Sequence, residues 1–417
     1  MHSVRTSALT LGAGLAVTGL LAATCVVDLQ AQTPPAPPAW KQGMPPSMAD
    51  SKLAPHAIPL TVTPLEKLQV GKLKAPSGFK VEVWAHGMPG ARMMARGTKG
   101  TIFAGTRAAG KVYAITDKDG KREHKVIVEG QAQPNGLAFK DGHLYVITID
   151  KVLRFDNIED KLDSPQITDL TDKFKLPPST HHNWKFAAIG PDGKIYFNVG
   201  APCNICEVNP GDFAQIRRQS LDGSGIEIVA RGVRNSIGFD WHPVTKELWF
   251  TDHGRDWAGD DGPQDELNRL PGDAFGANFG FPYCHANGIP DPDLKRPHAC
   301  LGVIMPAASM GPHAAACGMR FYTGSTFPAE YRNQAFIARR GSWNRTKKFG
   351  YDVALAKISG GKATITPFLT GFLDPKTDQF WGRPVDVHQQ PDGSLLVSDE
   401  QNGAIYRVSY TGKVANK

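Results

Sequence analysis

RGVRNSIGFDWHPVTKELWFTDHGRDWAGDDGPQDELNRL, residues Arg231 to Leu270, reads as strand, turn, strand and then a polar loop. It opens on a cation beside an amide, Arg234-Asn235. The apolar run Ile237 to Trp241 has strand character, His242-Pro243 starts a turn that ends near Lys246, and Glu247 to Thr251 is the returning strand. The loop that follows, Asp252 to Gly262, is too polar and glycine-rich for a core. It carries Asp252, His253, Arg255, Asp256, Asp260 and Asp261, with Asp265 and Glu266 close behind. Such a cluster needs water or a hard cation. It is either a solvated surface loop or a set of oxygen ligands of the kind calcium takes.

Outward from this stretch the same unit recurs. It is TIFAGTRAAGKVYAI at Thr101 to Ile115, NGLAFKDGHLYVITIDKVLRFD at Asn135 to Asp156, and FAAIGPDGKIYFNVG at Phe186 to Gly200, continued by AQIRRQSL at Ala214 to Leu221. Further copies run over Phe336 to Ile358 and over Pro384 to Val408, PVDVHQQPDGSLLVSDEQNGAIYRV. Asp-Gly and Gly turns return roughly every 40 to 55 residues, the spacing of four-stranded blades. The pattern predicts an all-β six-bladed β-propeller with four-stranded blades over residues 58–417, with end loops sent into a central channel. Amphipathic helices and a GxGxxG loop are both missing from the sequence pattern, which excludes a doubly wound nucleotide-binding fold. Asp273 to Gly318 is irregular and holds three cysteines, so it reads as a disulfide-stapled insertion near the channel mouth.

The 417 residues are 41% hydrophobic and 21% charged, ordinary for a chain with a large core, and 44 Gly with 32 Pro suit many tight turns. Residues 1–31 read as a signal peptide, with Arg5, the apolar run Ala8 to Ala23 and a cleavage site at Leu29-Gln30-Ala31. An uncleaved anchor is the alternative, and Thr24 before Cys25 fits a lipoprotein poorly. The reading is export, periplasmic in a Gram-negative source, with no stable membrane span after signal removal. Residues 32–57, with TPPAPPAW, read as an extended linker. The net charge of +7 is spread along the chain, which fits an acidic redox partner and excludes nucleic acid. Export favours disulfides. Cys203 and Cys206 in APCNIC can close a small loop, Cys284 can pair with Cys300 or Cys317, and one thiol is left over. A lone CxxC does not complete a zinc site, and without CxxCH no c-type haem is encoded.

A histidine before a strand, taken alone, is an ordinary surface or capping residue. Here His181-His182 precede one strand, and Arg234-Asn235, Asn135 in QPNG and Arg383 in WGRPVDV precede others. Four blades thus present polar residues at an equivalent place, and convergence in a pseudo-symmetric ring is what a site needs. A neutral histidine acts as a base near pH 7, and arginines hold carboxylates and stabilise a developing anion. The set suits oxidation of an alcohol or hydrated aldehyde on an anionic cofactor. It suits metal-assisted hydrolysis less well, because several arginines repel a cation unless an anion separates them.

HHNWKFAAIGPDGKIYFNVG, GVRNSIGFDWHPVTKELWFTDHGRD, DELNRL, FGFPYCH, GSWNR and GRPVDV followed by PDGSLLVSD together resemble the soluble glucose and sorbosone dehydrogenases. Those are six-bladed propellers that use pyrroloquinoline quinone (PQQ) and calcium, and the sorbosone branch is the nearer. The resemblance spans Asn135 to Tyr410. It implies that His182 is the base for a sugar hydroxyl whose carbon passes a hydride to the quinone, and that Arg234 and Asn235 contact the quinone oxygens. It implies further that the backbone carbonyls of Gly254 and Arg255 hold the cofactor's calcium, and that Asp265 and Glu266 mark a structural calcium region. Arg383, and more loosely Arg339, Arg340 and Arg345, match basic cofactor contacts, and Gln131 or Asn135 line the substrate side. Electrons then leave to a separate acceptor, a cytochrome or a quinone.

The sequence departs from the glucose branch where His181 stands in place of an Asp before the base, which makes Asp252 and Asp386 the candidates to orient His182. Arg255 replaces a proline, Trp257 and the Asp260-Asp261 insertion reshape the loop, and the substrate is not carried over. Two other functions fit parts of the pattern. One is a calcium-dependent sugar-lactone hydrolase of the six-bladed gluconolactonase type, with Asn135 and Asp386 as metal ligands. The other is a noncatalytic propeller that binds a glycan or a partner protein.

Overall fold

Tight turns set the strand pairing. A computed structural model of the chain describes residues 38–412 apart from residue 273, so the leader expected at 1–31 lies outside the described residues. Asp141 and Gly142, both at positive φ, join Gly136–Lys140 to His143–Ile147. A two-residue hairpin loop matches the twist of its strands only with left-handed backbone there. Gly193 and Gly393, at φ 76° and 80°, serve the Pro-Asp-Gly turns of two later units.

The strands assemble as a six-bladed β-propeller of antiparallel sheets. Blade one is Ala91–Arg96, Ile102–Thr106, Val112–Lys118 and Lys121–Val128; blade two is Gly136–Lys140, His143–Ile147, Val152–Asp156 and Gln166–Asp169. Blade three is Ala187–Ile189, Ile195–Val199, Gln215–Gln219 and Glu227–Arg231, with Ala277–Asn278 added in parallel at its edge. Blade four is Phe239–Trp241, Leu248–Asp252, Gln264–Arg269 and Ala308–Pro312; blade five is Ala316–Phe321, Ala335–Arg339, Asp352–Ser359 and Lys362–Leu369. Blade six is Pro384–Gln389, Leu395–Asp399 and Ala404–Tyr410, and its outer strand, Phe79–His86, comes from the far end of the sequence in register Phe79↔Tyr410 to His86↔Ala404.

The blades bury their faces against one another. Phe336 and Leu355 of blade five meet Val387, Val397 and Tyr406 of blade six, and Phe186, Tyr196 and Val229 meet Phe239, Leu248 and Phe250 across the joint between blades three and four. All inner strands begin at one end of the channel, and the antiparallel second strands finish there. Among the described residues no helix is long and apolar enough to cross a membrane.

Two sequence expectations need correction. Asp273 to Gly318 is only partly an insertion: it contributes the outer strand of blade four and starts the inner strand of blade five. The remainder forms a small ribbon, Cys284–His285 with Ile289–Pro290, stapled by Cys284–Cys300. The other is the linker expected at 32–57. In its described part, Trp40 packs on Trp257 and Trp343 with ring centroids 6.2 and 5.8 Å apart, and the Trp257 indole donates to the Trp40 carbonyl at 2.7 Å. His56 lies 4.8 Å from Phe380 and 3.1 Å from the Tyr351 hydroxyl. Proline-rich composition describes a free chain, and these few aromatic anchors are enough to lay it against the propeller.

Phe79 fastens the closing strand, with Phe327, Tyr331, Phe368 and Tyr410 around it at 4.7 to 5.4 Å. Phe79→Ala is expected to cost about 2–3 kcal/mol, toward the lower end for loss of a buried aromatic because the ring is half-buried. Urea unfolding should show a lower midpoint with an unchanged slope. An unchanged midpoint would mean that the closing strand is held by its backbone pairing alone.

Candidate active site

A cavity of about 370 Å³ opens at the channel end where the inner strands begin, within the roughly 300–1,000 Å³ typical of small-molecule and cofactor sites. Arg92, His182, Trp184, Arg234, Asn235 and Cys317 reach it from the inner-strand starts, and Arg107, His253 and Arg340 from the residues just after second strands. Ala39, Trp40, Pro55 and His56 of the docked N-terminal segment complete the wall.

Positive charge dominates. Four arginines but only two carboxylates, Asp256 and Asp265, line the cavity. Behind the wall, Arg92 and Arg340 both pair with the buried Glu400, and Arg383 stands 3.9 Å from the same carboxylate. Burial alone would raise the Glu400 pKa, but Arg340, Arg92 and Arg383 outweigh it and hold the carboxyl well below the usual range. One carboxylate serving three guanidiniums leaves charge uncompensated, and Arg383 Nε and Nη1 have no hydrogen-bond partner among the described residues. Arg107 has no carboxylate partner among the described residues; its guanidinium stacks 3.7 Å over Trp184 and donates to Gln133 at 3.2 Å. Buried charges are retained when paired, so this donor set fits an anionic ligand with more than one acidic group.

His182 sits at φ 46°, a left-handed conformation uncommon for a residue other than glycine. A Cβ at Gly200 would overlap the His182 carbonyl, so that glycine permits the loop to pass. The imidazole is packed edge-on against His181 and Trp184 at 4.1 and 5.8 Å. It makes no side-chain hydrogen bond among the described residues, and its Nδ1 is sealed from solvent, which leaves Nε2 toward the cavity. Burial first, then Arg234, lowers its pKa well below 6.5, so the ring is neutral at pH 7.

The tautomer of His253 is fixed by its surroundings. Its Nε2 faces the Ala316 carbonyl at 2.8 Å and must donate, so Nδ1 accepts from the Asn235 amide at 3.0 Å. Asn235 Oδ1 is then a buried acceptor without a hydrogen-bond partner among the described residues. Arg234 is fully engaged: it donates to the carbonyls of Gly254 at 2.8 Å and His253 at 3.3 Å, to Asn204, and to Asp256 at 3.1 Å. Asp265 accepts from the Gly254 and Ala316 amides at 3.0 and 3.2 Å, and burial pushes its pKa up to about 6. Glu266, whose pKa burial and the Asp252 charge push up to about 8, accepts from Ala286 and Asn268 and lies outside the cavity wall.

Of the residues named from sequence, the fold therefore gathers His182, Arg234, Asn235, Gly254, Asp265 and Arg340 on one cavity. Arg383 stands just behind it. Arg339 is spent on Asp352 at 2.6 and 2.7 Å, and Arg345 on Asp261 and the Asp260 carbonyl. The Arg255 side chain turns away to Asp291 and Asp293, both at 2.7 Å. Asn135 is a brace, accepting from Arg92 at 2.8 Å and donating to the Lys185 carbonyl at 2.6 Å. Gln131 lies in an adjoining cleft that shares Pro55, His56 and Arg107 with the cavity. Neither candidate orienter touches His182: Asp252 accepts the amides of Arg234 and Asn235, and Asp386 those of Met94 and Val387. Sequence reasoning missed Arg92, Arg107 and Glu400, and named His253 only as part of a polar loop. The last three directly follow second strands, a position as regular in the repeat as the one before the inner strands.

In comparisons with known proteins, residues 151–407 match the Glucose / Sorbosone dehydrogenase family. A Borreliella burgdorferi protein described as uncharacterized is 33% identical over 352 residues, 81% of this chain and 91% of that protein. Among solved structures, the calcium structure of the Trichoderma reesei enzyme of carbohydrate-active family AA12 superposes with TM-score 0.69 at 17% identity, covering 81% of this chain and 97% of that one. The holo form of the pyranose dehydrogenase PQQ domain from Coprinopsis cinerea gives TM-score 0.67 at 19% identity, with the same coverages of 81% and 97%. At such identities the two structures speak for the fold. The family match spans more than half of the chain and agrees with the propeller and its channel-end cavity: this chain belongs to the glucose/sorbosone dehydrogenase family.

Proposed function

We propose that this protein oxidises a sugar, an aldose or a sorbosone-type aldehyde, with PQQ and calcium held in the channel-end cavity and with electrons passed on to a separate carrier. The observation that carries this reading is a neutral, unpartnered His182 facing a cavity whose arginines outnumber its carboxylates. Family membership and the PQQ and calcium named for the two solved propellers support it.

The chain's own donors fit the group. Arg92, Arg107 and Arg340 would take its carboxylates and Asn235 would face its ring, while Arg234, its N–H groups already engaged by protein oxygens, would contribute charge rather than hydrogen bonds. The carbonyl of Gly254, which uses only one lone pair on Arg234, would face calcium on the oxygen-rich wall of Asp256 and Asp265. No group of three or more His, Cys, Asp or Glu among the described residues is arranged as a metal cage, so calcium's six to eight oxygens must come largely from backbone and cofactor. When bound, the quinone takes two electrons from the substrate carbon, and calcium polarises it as a Lewis acid.

His182 Nε2 removes the substrate hydroxyl proton. Its ring is held by the packing of His181 and Trp184 rather than by a carboxylate, and the Arg234 charge disfavours the imidazolium, so the base form persists below neutral pH. Trp40, Trp184 and Trp343 line the cavity and would limit water around the reacting groups. The lactone-hydrolase alternative loses its ligands, because Asn135 and Asp386 are committed to bracing contacts off the cavity wall.

Titration of the purified protein with PQQ should give saturable binding that requires calcium and is lost in Arg234→Ala; no binding at micromolar quinone would end the dehydrogenase reading. His182→Gln should bind the quinone normally yet lose about 10²–10⁴-fold in sugar-dependent dye reduction, the usual contribution of a general base. Retained turnover would remove His182 from that role. Because the His182 pKa is lowered, kcat/KM should stay level as pH falls from 7 through 6.5 and decline only well below it. An acid limb centred at 6.5 would contradict a buried, neutral base.

A further inference from the structure

We propose that Asn204, carried in the disulfide ring Cys203–Cys206, is a positioning residue for Arg234, and that the ring must be oxidised for the site to hold its anionic ligand. The role assigned to Arg234 rests on the function proposed above; the clamp itself does not.

Arg234 is buried and carries five N–H donors on a rigid fork, so its direction is decided by the acceptors around it. Asn204 supplies two of them. Its carbonyl accepts from Arg234 Nε at 2.9 Å, and its Oδ1 from Arg234 Nη2 at 2.7 Å. The same Oδ1 accepts the Asp256 amide at 2.8 Å, and Nδ2 donates to the Asp256 carbonyl at 3.2 Å. One buried asparagine therefore fixes both the arginine and Asp256, the carboxylate that pairs with it at 3.1 Å.

Asn204 is held in turn from two sides. Cys203 and Cys206 are disulfide-bonded around it. A ring this short constrains the unfolded chain least among possible disulfides, so its effect is local: it confines the backbone that presents the Asn204 carbonyl. On the outer side Gln42, of the docked N-terminal segment, accepts the Asn204 amide at 2.8 Å through Oε1, takes Nδ2 on its carbonyl at 2.8 Å, and donates to Ile205 at 3.2 Å. A chain of contacts thus runs from the segment through the ring to the arginine. Breaking the disulfide frees the Asn204 backbone, and Arg234 loses the pair of oxygens that aims it at the cavity.

Two measurements test this on the full-length protein. In the first, hydrogen exchange of the ligand-free protein is followed by mass spectrometry. Asn204→Ala and the ring-opened Cys206→Ser variant should both exchange at least tenfold faster across residues 253–257, with the blade peptides unchanged. Unaltered exchange in that stretch would overturn the clamp, whatever the ligand. In the second, PQQ is titrated with calcium present. Both variants should bind at least tenfold more weakly than the wild type at a temperature where all are fully folded, and Gln42→Ala should fall between. Equal affinity for wild type and variants would overturn the positioning role. Should the wild type fail to bind PQQ, the proposed function falls, and the exchange experiment decides the clamp alone. If Asn204→Ala does not fold, Cys206→Ser and Gln42→Ala carry both readouts.

Discussion

Glu400 is the carboxylate on which this end of the propeller depends. It pairs with Arg92 of blade one and Arg340 beyond the second strand of blade five, with Arg383 of blade six close by. The contact joins the first and last blades directly beneath the cavity. A buried ion pair of this kind adds little net stability, since desolvation offsets the Coulomb gain, but removing one member leaves the others buried and unpaired. Its value lies in where it puts the charge. Three guanidiniums gathered on one carboxylate keep an uncompensated positive field at the channel end; the neutral histidines of the cavity follow first from burial and then from guanidinium charge, that of Arg234 foremost.

The blade repeat was legible because its turns are chemically demanding. Asp141-Gly142 and the Pro-Asp-Gly turns sit where positive φ is needed, and their spacing counts out six units. The closing strand was harder to see: Phe79–His86 belongs to the last blade, and nothing in its local pattern says so. The docked segment 38–57 was hidden by composition. Three or four aromatic contacts hold it, too few to disturb a proline-rich signature.

At the site, the sequence identified the positions before the inner strands and, after the second strands, reached Arg340 only through the family resemblance while overlooking Arg107 and Glu400. Adjacent residues explain the mixed result for the arginines. Arg339 ends a strand and Arg340 follows it; neighbouring side chains on extended backbone point to opposite sides, so one reaches the cavity and the other pairs with Asp352. The Arg255 side chain is held by Asp291, which leaves the backbone-carbonyl role expected of Gly254 and Arg255 untouched. The matching of Asn135 to Arg92 and Lys185 depends on contacts between blades, which a single chain's local pattern does not encode.

The outer strand of blade six has a consequence for how the molecule comes into being. Phe79–His86 pairs with Ala404–Tyr410, so the earliest blade-forming strand waits for the latest one. Until the C-terminal residues are free, that strand's hydrogen-bonding edge and its aromatic face are open to other partners. Long-range pairing of this kind folds slowly and exposes unpaired edges on the way. The ring therefore matures as a whole, from a completed chain, and a chain stopped short of Ala404 leaves an open-edged sheet prone to association.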